Sequence, residues 1–216
     1  MAGPARPTPR VRRDVLAALA LLVCVSALPQ ALAQVAASAV SPPLSGAALV
    51  ARLREGGVTL YFRHTATDFS RNDERMVAGD CTTQRNLSDG GRDDARAIGA
   101  EIRRLRIPIG EVLASPYCRT METATLMFGR AEPAPEARGG PSMADAERYA
   151  ELRKRLATPP APRTVRVIAS HGNPFRAIAG PPYLAEGEAA VVAPAPGGTF
   201  AVISRIPKDE WRALGR

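Results

Sequence analysis

The chain is poor in lysine, histidine, cysteine and aromatic residues, and each shortage narrows what it can be. Lys154 and Lys208 are the only lysines among 29 basic residues, and aromatics make up 5% of the chain. No run of basic residues interleaved with aromatics occurs, so nucleic acid is not an expected partner. The three cysteines and two histidines show neither a His-x-x-x-His pair nor the paired-cysteine spacing of a zinc site, so no metal and no cofactor are expected. No internal repeat is visible, which excludes a solenoid. The most apolar stretch, Val15 to Leu28, is short and broken by Ser26, too short for a comfortable membrane span.

What is present suits one compact domain. The 216 residues are 45% apolar and 23% charged, with a formal net charge of +8, enough to bury a core. The arginine excess reads either as a basic surface or as an attraction for anionic substrates. The first residues look like a secretory leader. Arg6, Arg10, Arg12 and Arg13 precede the apolar run, and Ala31-Leu32-Ala33 supplies the small residues a signal peptidase reads. The expected division is a signal peptide over 1–33, a flexible Ala/Ser/Pro-rich linker over 34–46 and one folded domain over 47–216, in a periplasmic or secreted protein without a stable membrane span after cleavage. A retained anchor is the alternative. Arg12-Arg13 leaves twin-arginine and general export both open. If Cys24 leaves with the leader, Cys81 and Cys118 remain, an even pair that suggests a disulfide in an oxidising compartment; the alternative is two small buried thiols.

The spacing predicts a helix over 46–55 capped by Ser45 and ended by Gly56-Gly57. A strand over 58–62 runs into Arg63-His64-Thr65, and residues 66–86 form an aperiodic polar loop. Ser88 caps a helix in which Ala95, Ile98, Ile102 and Leu105 recur at helical spacing. A strand over 111–114 leads through Ser115-Pro116-Tyr117-Cys118 into a helix over 119–128. Residues 130–142 are a Pro/Gly-rich loop and 144–156 a helix. A strand over 164–169 delivers Ser170-His171-Gly172-Asn173 and a helix to Ala179. Residues 189–192 and 199–204 make a late strand pair, and Trp211 packs a terminal turn. Alternation of strand and helix indicates an α/β fold with a largely parallel sheet, whose site lies at the carboxyl ends of the strands.

Both histidines fall at such ends. Arg63 precedes His64, and Arg119 opens a helix after a third strand. A guanidinium fork holds two phosphate oxygens, and a helix start adds N–H donors. Two imidazoles, two guanidiniums and a helix start would suit a tetrahedral dianion, although any one of them alone reads equally as a surface charge.

Four segments in order carry a resemblance. They are Phe62-Arg63-His64-Thr65, Leu87 to Ala95, Ser115 to Ala124 and Ser170-His171-Gly172-Asn173. Together they resemble the histidine phosphatase superfamily, also called phosphoglycerate mutase-like, from about Val58 to Ile203. Thr65 stands where many members have Gly. The resemblance implies a three-layer sandwich with a mostly parallel sheet, and a phosphoric monoester hydrolase acting on a phosphorylated small molecule or phosphoprotein. It implies that His64 attacks phosphorus and becomes phosphohistidine, while Arg63, Arg119 and His171 bind the oxygens. Asp145, Glu147 and Glu188 are rivals for the acid that protonates the leaving oxygen, each equally readable as a surface acid; Gly172 stands where another branch of the family has its aspartate. A bridge between Cys81 and Cys118 would pin the 66–86 loop against the pocket. The alternatives are a phosphotransferase of the mutase kind and a non-catalytic phospho-ligand binding domain.

Overall fold

A computed structural model of the protein describes residues 42–139 and 149–215, together with Gly3. The expected leader, most of the linker and the acid candidates Asp145 and Glu147 lie outside the described residues. Among the described residues no helix is long and apolar enough to cross a membrane.

In chain order the elements are α1 (Gly46–Glu55), β1 (Val58–Arg63), α2 (Asp89–Arg104), β2 (Ile109–Ala114), α3 (Cys118–Phe128), β3 (Glu132–Pro133), α4 (Ala150–Ala157), β4 (Val165–Ser170), α5 (Gly172–Ala179), β5 (Ala189–Ala195) and β6 (Thr199–Ile206). Short 3-10 turns occupy Cys81–Thr83 and Pro135–Ala137. The strands form one sheet in the order β3-β2-β4-β1-β5-β6. β3, β2, β4 and β1 are mutually parallel, while β5 pairs antiparallel with both β1 and β6.

Alternation along the central strands builds the three layers. Val58, Leu60 and Phe62 of β1 face one core with Val165, Val167 and Ala169 of β4; Tyr61 and Ile168 face the other. Successive strand residues point to opposite faces, so β-branched runs this apolar must be covered on both sides. The first core is closed by α1, α2, α3 and Trp211, the second by α4 and α5. Phe62 stacks on Trp211 with ring centroids 5.9 Å apart. Arg166 of β4 is buried and held by Glu111 at 2.7 Å and the carbonyls of Arg155 and Thr158 at 2.8 and 2.9 Å, which ties the end of α4 to the sheet.

The predicted elements and the observed ones differ in detail. Ser88 caps α2, its hydroxyl accepting from the Gly91 N–H at 3.0 Å, but Ser45 makes no such bond at α1. Gly56 ends α1 at φ 76°, a conformation that favours glycine. β3 was not expected inside the Pro/Gly-rich loop; two residues carry no periodicity. Of the helix expected over 144–156, the described part is Ala150–Ala157. Gly99 lies where α2 crosses α3, and a side chain there would run into the Met127 backbone.

Cys81 and Cys118 are joined by a disulfide that closes 37 residues of sequence. Loop closure of that length constrains the unfolded chain. Reduction is expected to lower the unfolding free energy by roughly 4 kcal/mol on the chain-entropy model, read from urea transitions with and without reductant. Two free thiols by mass spectrometry in the untreated protein would refute the bridge.

Candidate active site

Parallel pairing of β1 with β4 runs in register from Val58 opposite Val165 to Arg63 opposite Ser170. The His64 N–H extends the ladder by donating to the Ser170 carbonyl at 2.9 Å. The residues after each strand are therefore neighbours, and the His64 and His171 rings meet edge to face with centroids 5.6 Å apart. β2 lies on the other side of β4, so the turn after it brings Ser115, Tyr117 and Arg119 to the same place. A cavity of about 530 Å³ opens there, and Arg63, His64, Arg119 and His171 all line it. The structure thus brings together the four expected His and Arg residues from three strand ends.

Each imidazole is oriented by a partner. His64 Nδ1 lies 2.9 Å from the Thr65 carbonyl. A carbonyl only accepts, so Nδ1 carries the proton and Nε2 is left with a lone pair. His171 Nε2 is 2.9 Å from the buried Ser115 hydroxyl. The Tyr61 hydroxyl donates to the His171 carbonyl at 2.9 Å and also lies 2.7 Å from Ser170 Oγ, which donates to the Ala137 carbonyl at 2.6 Å. Burial pushes the Tyr61 phenol up, so it stays a donor. The Tyr117 ring packs against His171 at 4.8 Å. Thr65 is accommodated by Thr123, whose hydroxyl lies 3.3 Å from the Thr65 N–H and 3.4 Å from its hydroxyl.

The arginines are held less symmetrically. Arg63 donates to the Leu184 carbonyl at 2.9 Å and to Glu186 at 3.4 Å. Arg119 is 4% exposed and pairs with Asp73 at 3.0 Å and the Arg85 carbonyl at 3.2 Å. The N–H groups at the start of α3 are less available than expected, because the Gln84 side chain accepts from the Cys118 N–H at 3.0 Å. Gly172 and Asn173, in the first turn of α5, line the cavity instead.

Glu188, one of the three acid candidates, does not line the cavity. Its carboxylate is taken by Arg205 at 2.6 Å and the Ala185 N–H at 2.7 Å. Among the described residues the carboxylates near the site are Asp73 and Glu186, which sequence reasoning missed along with Arg85, Arg138, Tyr183 and Met76. Among the described residues no group of three or more His, Cys, Asp or Glu could hold a metal ion.

Burial lowers the His64 pKa to about 3; the bond to Thr65 opposes this, and the Arg119, Arg63 and Arg85 charges reinforce it. His171 is lowered too, by burial first and then by Arg119 and His64. The sequence alone left His64 half or more neutral at pH 7; in this setting it is neutral throughout. The 3.9 Å approach of Glu186 to His64 Nδ1 is therefore not an ion pair.

A mostly parallel sheet between helical layers, with its cavity at the strand ends, defines a phosphoglycerate mutase-like fold. Residues 60–138 match the model of the histidine phosphatase superfamily (branch 1), a stretch that holds Arg63, His64 and Arg119 and ends before His171. Over that stretch the chain is similar to the histidine phosphatase superfamily. Among solved structures it is similar to the protein histidine phosphatase SixA complexed with tungstate, at 19% identity and a TM-score of 0.52 over 71% of this chain and 98% of that one. It is also similar to YhfR of Bacillus stearothermophilus (17% identity, TM-score 0.47, 68% of this chain and 95% of that one). A phosphoserine phosphatase from Entamoeba histolytica, in complex with phosphoserine, follows at 12% identity and a TM-score of 0.46, over 70% and 97% of the two chains. No curated protein matches the chain.

In the unfolded chain a histidine titrates near 6.5, so below that pH the unfolded state binds protons the folded state refuses. Stability is expected to fall as pH drops from about 6.5 toward 3, by about 1 kcal/mol per pH unit for His64, with a contribution of the same sign from His171. Urea midpoints between pH 7 and pH 5 measure this. A variant combining His64→Gln and His171→Gln should show a flatter profile, and an equally steep one would assign the effect to other groups.

Proposed function

We propose that the protein is a phosphoric monoester hydrolase working through phosphohistidine on His64. The observation that carries this reading is the tautomer: Nδ1 is committed to the Thr65 carbonyl, so a neutral Nε2 lone pair stands in a cavity that Arg63, Arg119 and His171 also line. Nε2 attacks phosphorus, the ester P–O bond breaks and the leaving oxygen takes a proton. Water then attacks phosphorus, the P–N bond breaks, and orthophosphate and free His64 are released. Guanidiniums fixed in a buried setting stabilise the charge that builds on the equatorial oxygens more strongly than water would. Arg119 serves in this way once an oxyanion competes with Asp73 for its fork. Ser115 and Tyr61 position His171 and do not line the cavity.

Further support comes from the fold neighbour SixA, a protein histidine phosphatase bound to tungstate, itself a tetrahedral oxyanion. The substrate class is a phosphorylated small molecule or phosphoprotein, and the reaction as written needs no cofactor. We place the protein in the periplasm or outside the cell, with residues 1–33 removed. The leader-like sequence and a disulfide suited to an oxidising compartment support that placement.

An aryl phosphate is the decisive substrate, because its leaving group departs without a proton donor. The wild-type protein is expected to hydrolyse p-nitrophenyl phosphate and to form an acid-labile, radiolabelled phosphoenzyme. His64→Ala should lose at least about a thousandfold in kcat/KM while still binding orthophosphate. A wild-type protein that binds phosphate without turnover would instead be a binding domain, and isomerisation in place of hydrolysis would make it a mutase.

A further inference from the structure

We propose that the cavity holds a second anion subsite built by Arg85 and Arg138, and that the substrate is a phosphomonoester carrying another negatively charged group. The claim rests on the reading above for which end of the substrate reacts.

Four arginines line the cavity: Arg63, Arg85, Arg119 and Arg138. Asp73 is the one carboxylate among the described lining residues. Two of the four are already compensated, Arg119 by Asp73 at 3.0 Å and Arg63 by Glu186 at 3.4 Å. The other two have no carboxylate partner among the described residues. The Arg85 guanidinium lies over the Phe69 ring at 4.6 Å, and its Nε is buried with no hydrogen-bond partner. The Arg138 guanidinium lies over the Tyr117 ring at 5.6 Å, the same ring that Arg119 approaches at 4.8 Å.

An aromatic face holds a guanidinium by its charge but accepts few of its five N–H donors. A donor left unmatched in a partly buried site, as at the Arg85 Nε, is costly; Arg138 is exposed and adds charge, and two such cations beside a third raise the local positive potential. An anion relieves both costs. The reacting phosphoryl group does not provide this relief, because its oxygens are met by Arg63, Arg119 and His171. What remains is a pair of forks on the loop after β1 and on the segment after β3, both next to the phosphate position. The cavity has the volume of a small-molecule site, well beyond the needs of one phosphate. A second phosphate or a carboxylate on the same molecule fits that surplus in both charge and space.

The test uses calorimetry on the full protein carrying His64→Ala, so that no ligand turns over. The probes are fructose 1,6-bisphosphate against fructose 6-phosphate, and pyrophosphate against orthophosphate. At least one doubly anionic probe should bind about tenfold more tightly than its partner, the scale of one added charge-assisted contact. Arg85→Gln and Arg138→Gln should each lower that preference about threefold or more, and Arg138→Lys should restore much of it. No preference in the parent for either doubly anionic probe, or a preference undiminished in both Gln variants, overturns the subsite. That outcome is separate from failure of the catalytic reading, which shows as absent turnover of p-nitrophenyl phosphate by the unmutated protein.

Discussion

Strands β1 and β4 run parallel and in register, and the His64 N–H closes the ladder on the Ser170 carbonyl at 2.9 Å. That pairing constrains the rest of the site. A slip of one residue would turn Phe62 and Ala169 out of their core and Tyr61 into it, so burial on both faces enforces the register. With the register set, the residues that follow the two strands have little freedom, and the two imidazoles must meet. β2 pairs β4 on its far side, which delivers the third contributor, Arg119, without any further folding decision.

The same burial that fixes the rings decides their charge. An imidazolium here would sit without water among guanidiniums, so both histidines stay neutral. Neutrality is what a nitrogen nucleophile needs, and it leaves Arg119 as the buried cation of the site. Asp73 offsets that cation, and it reaches Arg119 from the loop after β1. The same loop is tied at Cys81 to Cys118 and caps the Cys118 N–H through Gln84. The disulfide, the cap and the ion pair are therefore three attachments of one loop to one helix start.

The strand ends were legible in the sequence because β-branched and aromatic runs stop at a histidine in both cases, and the helices because their apolar spacing is regular. The loop contributions were not. Asp73, Arg85 and Glu186 sit in segments with no period, and only the folded chain shows which polar residue turns inward. Glu188 and Glu186 illustrate the limit. They are two residues apart, yet Glu188 is spent on Arg205 while Glu186 faces Arg63 and Thr67. The helix start of α3 shows a related limit: one of its N–H donors, that of Cys118, is taken by Gln84, and a cap from 34 residues earlier leaves no local trace.

This division between strand ends and loops also separates two jobs. Residues on strand ends are fixed by a buried sheet, and they are the ones proposed to touch phosphorus or its oxygens. Residues on loops surround them, and they supply both the carboxylates that balance the arginines and the two guanidiniums left unbalanced. Arg119 belongs to both groups. Its backbone opens α3 directly after a strand, while its partners Asp73 and the Arg85 carbonyl come from the loop. The two arginines share one carboxylate: Asp73 pairs with the Arg119 guanidinium and accepts from the Arg85 N–H at 2.9 Å, so capture of a phosphate by Arg119, as proposed, would bear on the placement of Arg85.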